Sequence, residues 1–156
     1  MKTKRYVIDT NALISYHAEL FEETPKLSRK ALNIIEQGIT YSHNSYNPNR
    51  IILFIPSIVF VEIFEKWFRG TDEEFRKEFI STVYQPLSNA ENIEIREIDR
   101  EVVEKFMTLS DPEINLENRD RVILASALSL QADIITSDAK ISRYVRKYKF
   151  NISVES

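Results

Sequence analysis

Tyr6-Val7-Ile8-Asp9-Thr10-Asn11 near the start of the chain and Asp133-Ile134-Ile135-Thr136-Ser137-Asp138 near its end share one pattern: a short apolar run that breaks off in a polar cluster holding an aspartate. A run rich in β-branched residues with polar flanks reads as a buried strand. Open α/β sheets bind ligands just beyond the carboxyl ends of their strands, so both aspartates stand where a ligand would. If the two strands are neighbours, Asp9 and Asp138 converge. Their repulsion then has to be offset by a proton, a base or a metal cation.

Between these runs, strand and helix signals alternate. Tyr6 to Asp9 reads as a strand and Asn11 to about Leu20 as a helix. Pro25 to Gln37 carries Leu27, Ala31, Leu32, Ile34 and Ile35 at helical spacing, with Gly38 as its expected stop. The polar, turn-rich stretch at about 39–50 reads as a surface loop insert. Ile51 to Ile55 is a buried strand, after which Pro56 and Ser57 open a helix reaching about Phe68, ended by Gly70. Thr71 with Glu74 forms a capping-box pattern for a helix along Phe75, Phe79, Ile80 and Val83, limited by Pro86. Ile93 to Ile98 alternates like an edge strand, and Asp99 caps the helix after it. Asn118 to Gln131 is helical, then come the Ile134-Ile135 strand, a basic helix from Ala139 and a last short strand near Phe150 to Val154. This alternation predicts an α/β fold with a parallel sheet and helices on both faces, in one domain spanning 1–156.

Composition narrows the chemistry. The 156 residues are 43% hydrophobic, ordinary for a globular chain, and hold no cysteine, which removes disulfides, thiolate zinc sites and cysteine nucleophiles. Met1 to Arg5 leads straight into a strand, and the longest apolar stretch, Ile51 to Phe64, is too short to cross a bilayer. A cytoplasmic protein with no membrane association is expected. The net charge of −3 leaves polyanion binding to a local basic patch. Gly38 and Gly70 are the only glycines, so no glycine-rich phosphate loop follows the first strand. His17 and His43 lack the spacing of a nucleophilic triad and read as surface residues.

Two further acids stand out. Glu62 interrupts Ile58-Val59-Phe60-Val61-Glu62-Ile63-Phe64, where an unpaired buried carboxylate costs several kcal/mol, roughly the penalty for an uncompensated charge. It is either a buried ligand wanting a cation or part of an exposed stripe with Glu65, Lys66 and Arg69. Asp120 follows Asn118, the expected N-cap, and complements a helix dipole; that helix also runs straight into the strand that delivers Asp138. A short return would make Asp120 and Asp138 neighbours.

Val7-Ile8-Asp9-Thr10-Asn11-Ala12-Leu13, Glu62, Asp120-Arg121-Val122-Ile123-Leu124-Ala125-Ser126-Ala127 and Ile135-Thr136-Ser137-Asp138, in this order, resemble the PIN-domain ribonucleases across essentially the whole chain. The resemblance implies a PIN-like three-layer α/β/α fold with parallel strand order 3-2-1-4-5. It also implies an acidic tetrad of Asp9, Glu62, Asp120 and Asp138 holding Mg2+ or Mn2+, supported by Asn11 and Ser137. Oxygen ligands suit these hard cations, and the ion would activate water for in-line attack on an RNA phosphodiester. Products with 5′-phosphate and 3′-hydroxyl ends follow. VapBC-type toxins of this family are silenced by an antitoxin covering the acidic pocket, which implies such a partner here; the greater length and the polar insert leave a stand-alone ribonuclease as the other form. A catalytically silent RNA-binding or scaffold module would have lost acids, and all four are present. A haloacid-dehalogenase phosphatase needs a second aspartate where this chain has Asn11.

A basic track is expected for RNA. Lys140, Arg143, Arg146, Lys147 and Lys149 follow Asp138 without an intervening acid, interleaved with Tyr144 and Tyr148, and read either as phosphate contacts or as a solvated helix face. A narrow acidic pocket favours single-stranded or looped RNA. Phe64, Trp67 and Phe68 beside Phe75 and Phe79 read as a homodimer face or as core.

Overall fold

Tyr6, Val7 and Ile8 are successive strand residues, pointing to alternate faces of a sheet, and all three are buried. A strand buried on both sides needs cover on both sides, as helices crossing between parallel strands provide. The computed structural model describes residues 2–41, 49–68 and 72–156. Its strands are β1 (Lys2–Ile8), β2 (Asn49–Pro56), β3 (Ile93–Arg96), β4 (Asp133–Ile135) and β5 (Val154–Glu155), paired in parallel in the order β3-β2-β1-β4-β5. The expected α/β fold and the strand order 3-2-1-4-5 are therefore found. β1 and β4 are neighbours, with Tyr6 opposite Asp133 and Ile8 opposite Ile135, so Asp9 and Asp138 leave the same edge of the sheet.

The helices flanking this sheet are α1 (Thr10–Tyr16), α2 (Arg29–Thr40), α3 (Ser57–Trp67), α4 (Glu73–Phe79), α5 (Gln85–Asn89), α6 (Arg100–Thr108), α7 (Asn118–Leu130) and α8 (Ala139–Tyr148). Among the described residues, no helix is long and apolar enough to cross a membrane. The core runs along the strands through Val7, Ile8, Leu53, Ile55, Ile134 and Ile135, and α3 and α7 add Val59, Ile63, Ile123 and Leu124.

Several local expectations are corrected. Gly38 does not stop α2; it lies inside it, because a Cβ there would stand 2.4 Å from Leu53 Cγ on β2. The helix and the strand approach too closely for a side chain. Ile39 and Thr40 extend α2 while Asn49 and Arg50 open β2, so ordered elements take both ends of the expected insert; residues 42–48 lie outside those described. Gly70 and Thr71 also lie outside, and the cap of α4 is Asp72, which accepts from Phe75 N at 3.1 Å. Pro86 does not end the helical run: a π-helical turn at Ile80–Tyr84 intervenes, and Pro86 falls in the first turn of α5, where its missing N–H is tolerated. Asn118 is the first residue of α7 and Glu117 holds the cap position. Asp99 caps α6 as expected, accepting from Val102 N at 3.0 Å.

Candidate active site

The Asp9 carboxylate, only 2% exposed, is fixed by three donors. Its Oδ1 accepts from Thr10 N at 2.7 Å, and its Oδ2 accepts from Thr136 Oγ1 at 2.6 Å and Asn11 Nδ2 at 3.2 Å. The strand pairing itself sets this position, because Asp9 N donates to Ile135 O at 3.0 Å, locking the end of β1 to the end of β4. Thr136, fully buried, is the hinge pin of the arrangement. Its hydroxyl gives its proton to Asp9 and accepts from Asp138 N at 3.0 Å, so a single oxygen orients both strand-end segments. Asn11 closes the web, its Oδ1 accepting from Ser137 N at 3.0 Å. Ser137 thus enters through its backbone, and the bridging hydroxyl belongs to Thr136, to which sequence reading gave no role. The available signal was its position: a hydroxyl directly after the buried Ile134-Ile135 pair and two residues before the aspartate.

The other acids arrive on helices. Glu62 is 7% exposed on the inner side of α3, which removes the surface-stripe reading, and its Oε1 accepts from Thr10 Oγ1 at 3.0 Å. Asp138 caps α8, its Oδ1 accepting from Lys140 N at 2.7 Å and Ile141 N at 3.3 Å. Asp120 stands in the first turn of α7. All four line one cavity of about 280 Å³ together with Asn11, Glu117, Lys66 and Lys140.

Crowding these charges away from water changes their acidity. Burial pushes the Asp9 carboxyl up to about 6, with Glu62 and Asp138 adding to the rise and the Thr136 and Thr10 hydrogen bonds opposing it. Asp120 is pushed up to about 7, again by burial first and then by the charges of Asp9, Asp138, Glu62 and Glu117. Burial also raises Glu62, against the pull of the Thr10 hydrogen bond and of Lys66 and Arg119. The cavity holds an excess of negative charge.

The family model of the PIN domain matches residues 6–147, nearly the whole chain. The chain belongs to the PIN domain family. Solved structures of similar fold include VapBC2 from Rickettsia felis bound to a DNA fragment from its promoter, at 15% identity, TM-score 0.60 and 97% coverage of each chain. VapBC-1 from nontypeable Haemophilus influenzae is similar at 18% identity and TM-score 0.61, again over 97% of each chain. FitAcB from Neisseria gonorrhoeae is similar at 11% identity and TM-score 0.60, over 97% of this chain and 96% of that one. No curated protein matches the sequence. PIN domains are generally nucleases, and PIN nucleases generally use divalent metal ions.

The donor chemistry of this PIN domain suits such an ion: carboxylate and amide oxygens, with two carboxyls whose raised pKa a cation would bring back down. Among the described residues, no three acidic side chains are drawn close enough to enclose an ion as they stand. Asp9 and Asp138 instead turn their oxygens to the N–H and O–H donors named above.

The residues expected on a basic track divide. Lys147 is committed to Asp111 Oδ2 at 2.6 Å and Glu113 Oε2 at 3.1 Å. Asp111, with a side chain 1% exposed, also accepts from Tyr148 OH at 2.6 Å, Glu113 N at 2.8 Å and Ile114 N at 2.9 Å. This cluster straps the segment before α7 to the end of α8. Tyr144 is buried and stacked on Tyr148 at 4.7 Å, a packing role. Of the aromatics read as a homodimer face, Phe79 is core, with Phe68 and Phe75 packed against it, and Phe64 is 41% exposed. His17 is half-buried rather than on the surface, and burial lowers it to about 4; His43 lies outside the described residues.

Proposed function

We propose that this PIN domain is a Mg2+- or Mn2+-dependent ribonuclease that hydrolyses single-stranded or looped RNA, with residues 1–156 acting as one cytoplasmic domain. The observation that carries the reading is the meeting of Asp9, Glu62, Asp120 and Asp138 in one cavity, with Asp9 raised to about 6 and Asp120 to about 7. Asp9, Asp120 and Asp138 would hold the ion, and Glu62 a second ion or a water. When bound, the ion supplies Lewis acidity that activates water and stabilises charge on the phosphate. Thr136 and Asn11 keep the Asp9 carboxylate oriented, and Thr10 does the same for Glu62. In-line displacement of the 3′-oxygen leaves 5′-phosphate and 3′-hydroxyl ends.

The similarity in fold to VapBC-1, VapBC2 and FitAcB supports the toxin form of this reading, in which an antitoxin covers the acidic cavity. Incubation of the purified chain with labelled single-stranded RNA tests the activity. Cleavage with Mn2+ or Mg2+, abolished by EDTA and by Asp9→Asn or Asp138→Asn, is the expected result. Cleavage that survives EDTA, or that equals wild type in Asp9→Asn, overturns it.

A further inference from the structure

The cations near the acidic cavity are not equivalent. Arg119 pairs with Glu65 across α3 and α7. Arg121 lies over the Phe106 ring at 4.3 Å and donates to Asn118 Oδ1 and Phe106 O, and Lys147 is held by two carboxylates. Arg119 and Lys147 are thus paired with carboxylates, and Arg121 is packed against a ring and two neutral oxygens, its Nε buried without a partner. Two others line the cavity itself: Lys66 on α3, one turn beyond Glu62, and Lys140 in the first turn of α8, beside Asp138. Among the described residues neither forms an ion pair with a carboxylate; Lys140 Nζ rests on the neutral Asn115 carbonyl at 3.3 Å, and Lys66 acts on Glu62 only through its charge. Arg143 and Arg146, exposed farther along α8, likewise form no ion pair among the described residues and line a shallow surface hollow.

An RNA backbone needs its phosphates neutralised on both sides of the scissile bond while the acids between them hold positive charge. From this sorting we infer that Lys66 and Lys140 bracket the acidic cavity as a phosphate clamp. Lys66 holds a phosphate on the α3 side, and Lys140 passes the strand to Arg143 and Arg146 on the other. The clamp rests on the ribonuclease reading and assigns to Lys66 a substrate contact. Lys147 lines the same hollow as Arg143 and Arg146, but its charge is shared with Asp111 and Glu113.

The clamp has a signature that a packing role for Lys66 lacks. Removing this charge takes a cation from beside the phosphate and equally from beside Glu62, so RNA and metal affinities move in opposite directions. With otherwise wild-type protein, binding of a labelled single-stranded oligoribonucleotide is followed by anisotropy across a salt series with Ca2+ present as an oxygen-liganded divalent ion, and the oligonucleotide is checked to be intact afterwards. Lys66→Gln is expected to lower the slope of log affinity against log salt by about 0.7, the share of one single-strand phosphate contact, and Lys66→Arg to restore it. Calorimetry of Mn2+ with otherwise wild-type protein, without RNA, is expected to show Lys66→Gln binding at least as tightly as its parent. RNA affinity in the parent with an unchanged slope in Lys66→Gln overturns the clamp alone, as does Mn2+ affinity that falls together with RNA affinity. No RNA affinity in the parent, and no cleavage by wild type, overturns the ribonuclease reading and the clamp with it.

Discussion

Thr136 has one hydroxyl, which gives its proton to Asp9 Oδ2 and a lone pair to Asp138 N, with a longer bond accepted from Asn11 Nδ2 at 3.4 Å. Valine keeps the shape and removes these bonds. Asp9 would then lose a bond that opposes the rise of its pKa, leaving it more often protonated near neutral pH and a poorer cation ligand. Thr136→Val is expected to weaken Mn2+ binding and cleavage by roughly 10–100-fold, the usual cost of removing a group that orients a metal ligand, with Thr136→Ser close to wild type. Calorimetry and initial rates check it, and equal Mn2+ affinity in Thr136→Val contradicts it. Asp9, Asp138 and Glu62 were legible in the sequence because strand-end carboxylates, and a carboxylate within an apolar helix, are conspicuous wherever the chain goes; Asp120, in a helix first turn where acids are common, stood out only through the helix that leads into the Asp138 strand. Thr136 was not legible, since its role exists only once β1 and β4 pair. The commitment of Lys147 to Asp111 was hidden for the same reason, since the two lie 36 positions apart in the chain.

At the scale of elements, periodicity located the strands and most helices, and the errors fell where one element constrains another. Gly38 reads as a helix stop by composition, yet its reason is the Leu53 side chain of β2. Helix propensity alone predicts that Gly38→Ala stabilises by about 1 kcal/mol. The contact with Leu53 predicts a loss of roughly 1–3 kcal/mol, the cost of forcing extra volume into a packed core. Denaturant unfolding decides between the two, and a midpoint at or above wild type removes the close-packing explanation. Pro86 misled in a similar way: the π turn before it starts a fresh helical turn, and the proline sits where no N–H is required. The strap from Asp111 to Lys147 and Tyr148 ties the approach to α7 to the end of α8, the two helices that carry Asp120 in the first turn and Asp138 at the cap. That link is tertiary and left no local trace.

For the whole molecule, the site makes folding depend on pH in two directions. Asp9 and Asp120 titrate higher in the folded state than carboxyls do when unfolded, so their cost is fully present above about pH 7 and is relieved as pH falls toward 4. Asp111 is held well below the ordinary carboxylate range by Lys147 and Tyr148; its contribution is complete above about pH 4 and drains away on further acidification. The metal-free protein is therefore expected to melt highest between about pH 4 and 6, with Mn2+ raising Tm more at pH 7.5 than at pH 5, where protons compete for the same oxygens. A Tm that climbs steadily to pH 8 without metal contradicts this balance. Whether the four carboxylates, with their excess of negative charge, share a divalent cation is tested by titrating Mn2+ calorimetrically at pH 6.5 in buffers of different ionisation enthalpy. Binding coupled to proton release, with both lost in Asp9→Asn, is the expected result. No binding, binding without proton release, or wild-type binding by Asp9→Asn would contradict it.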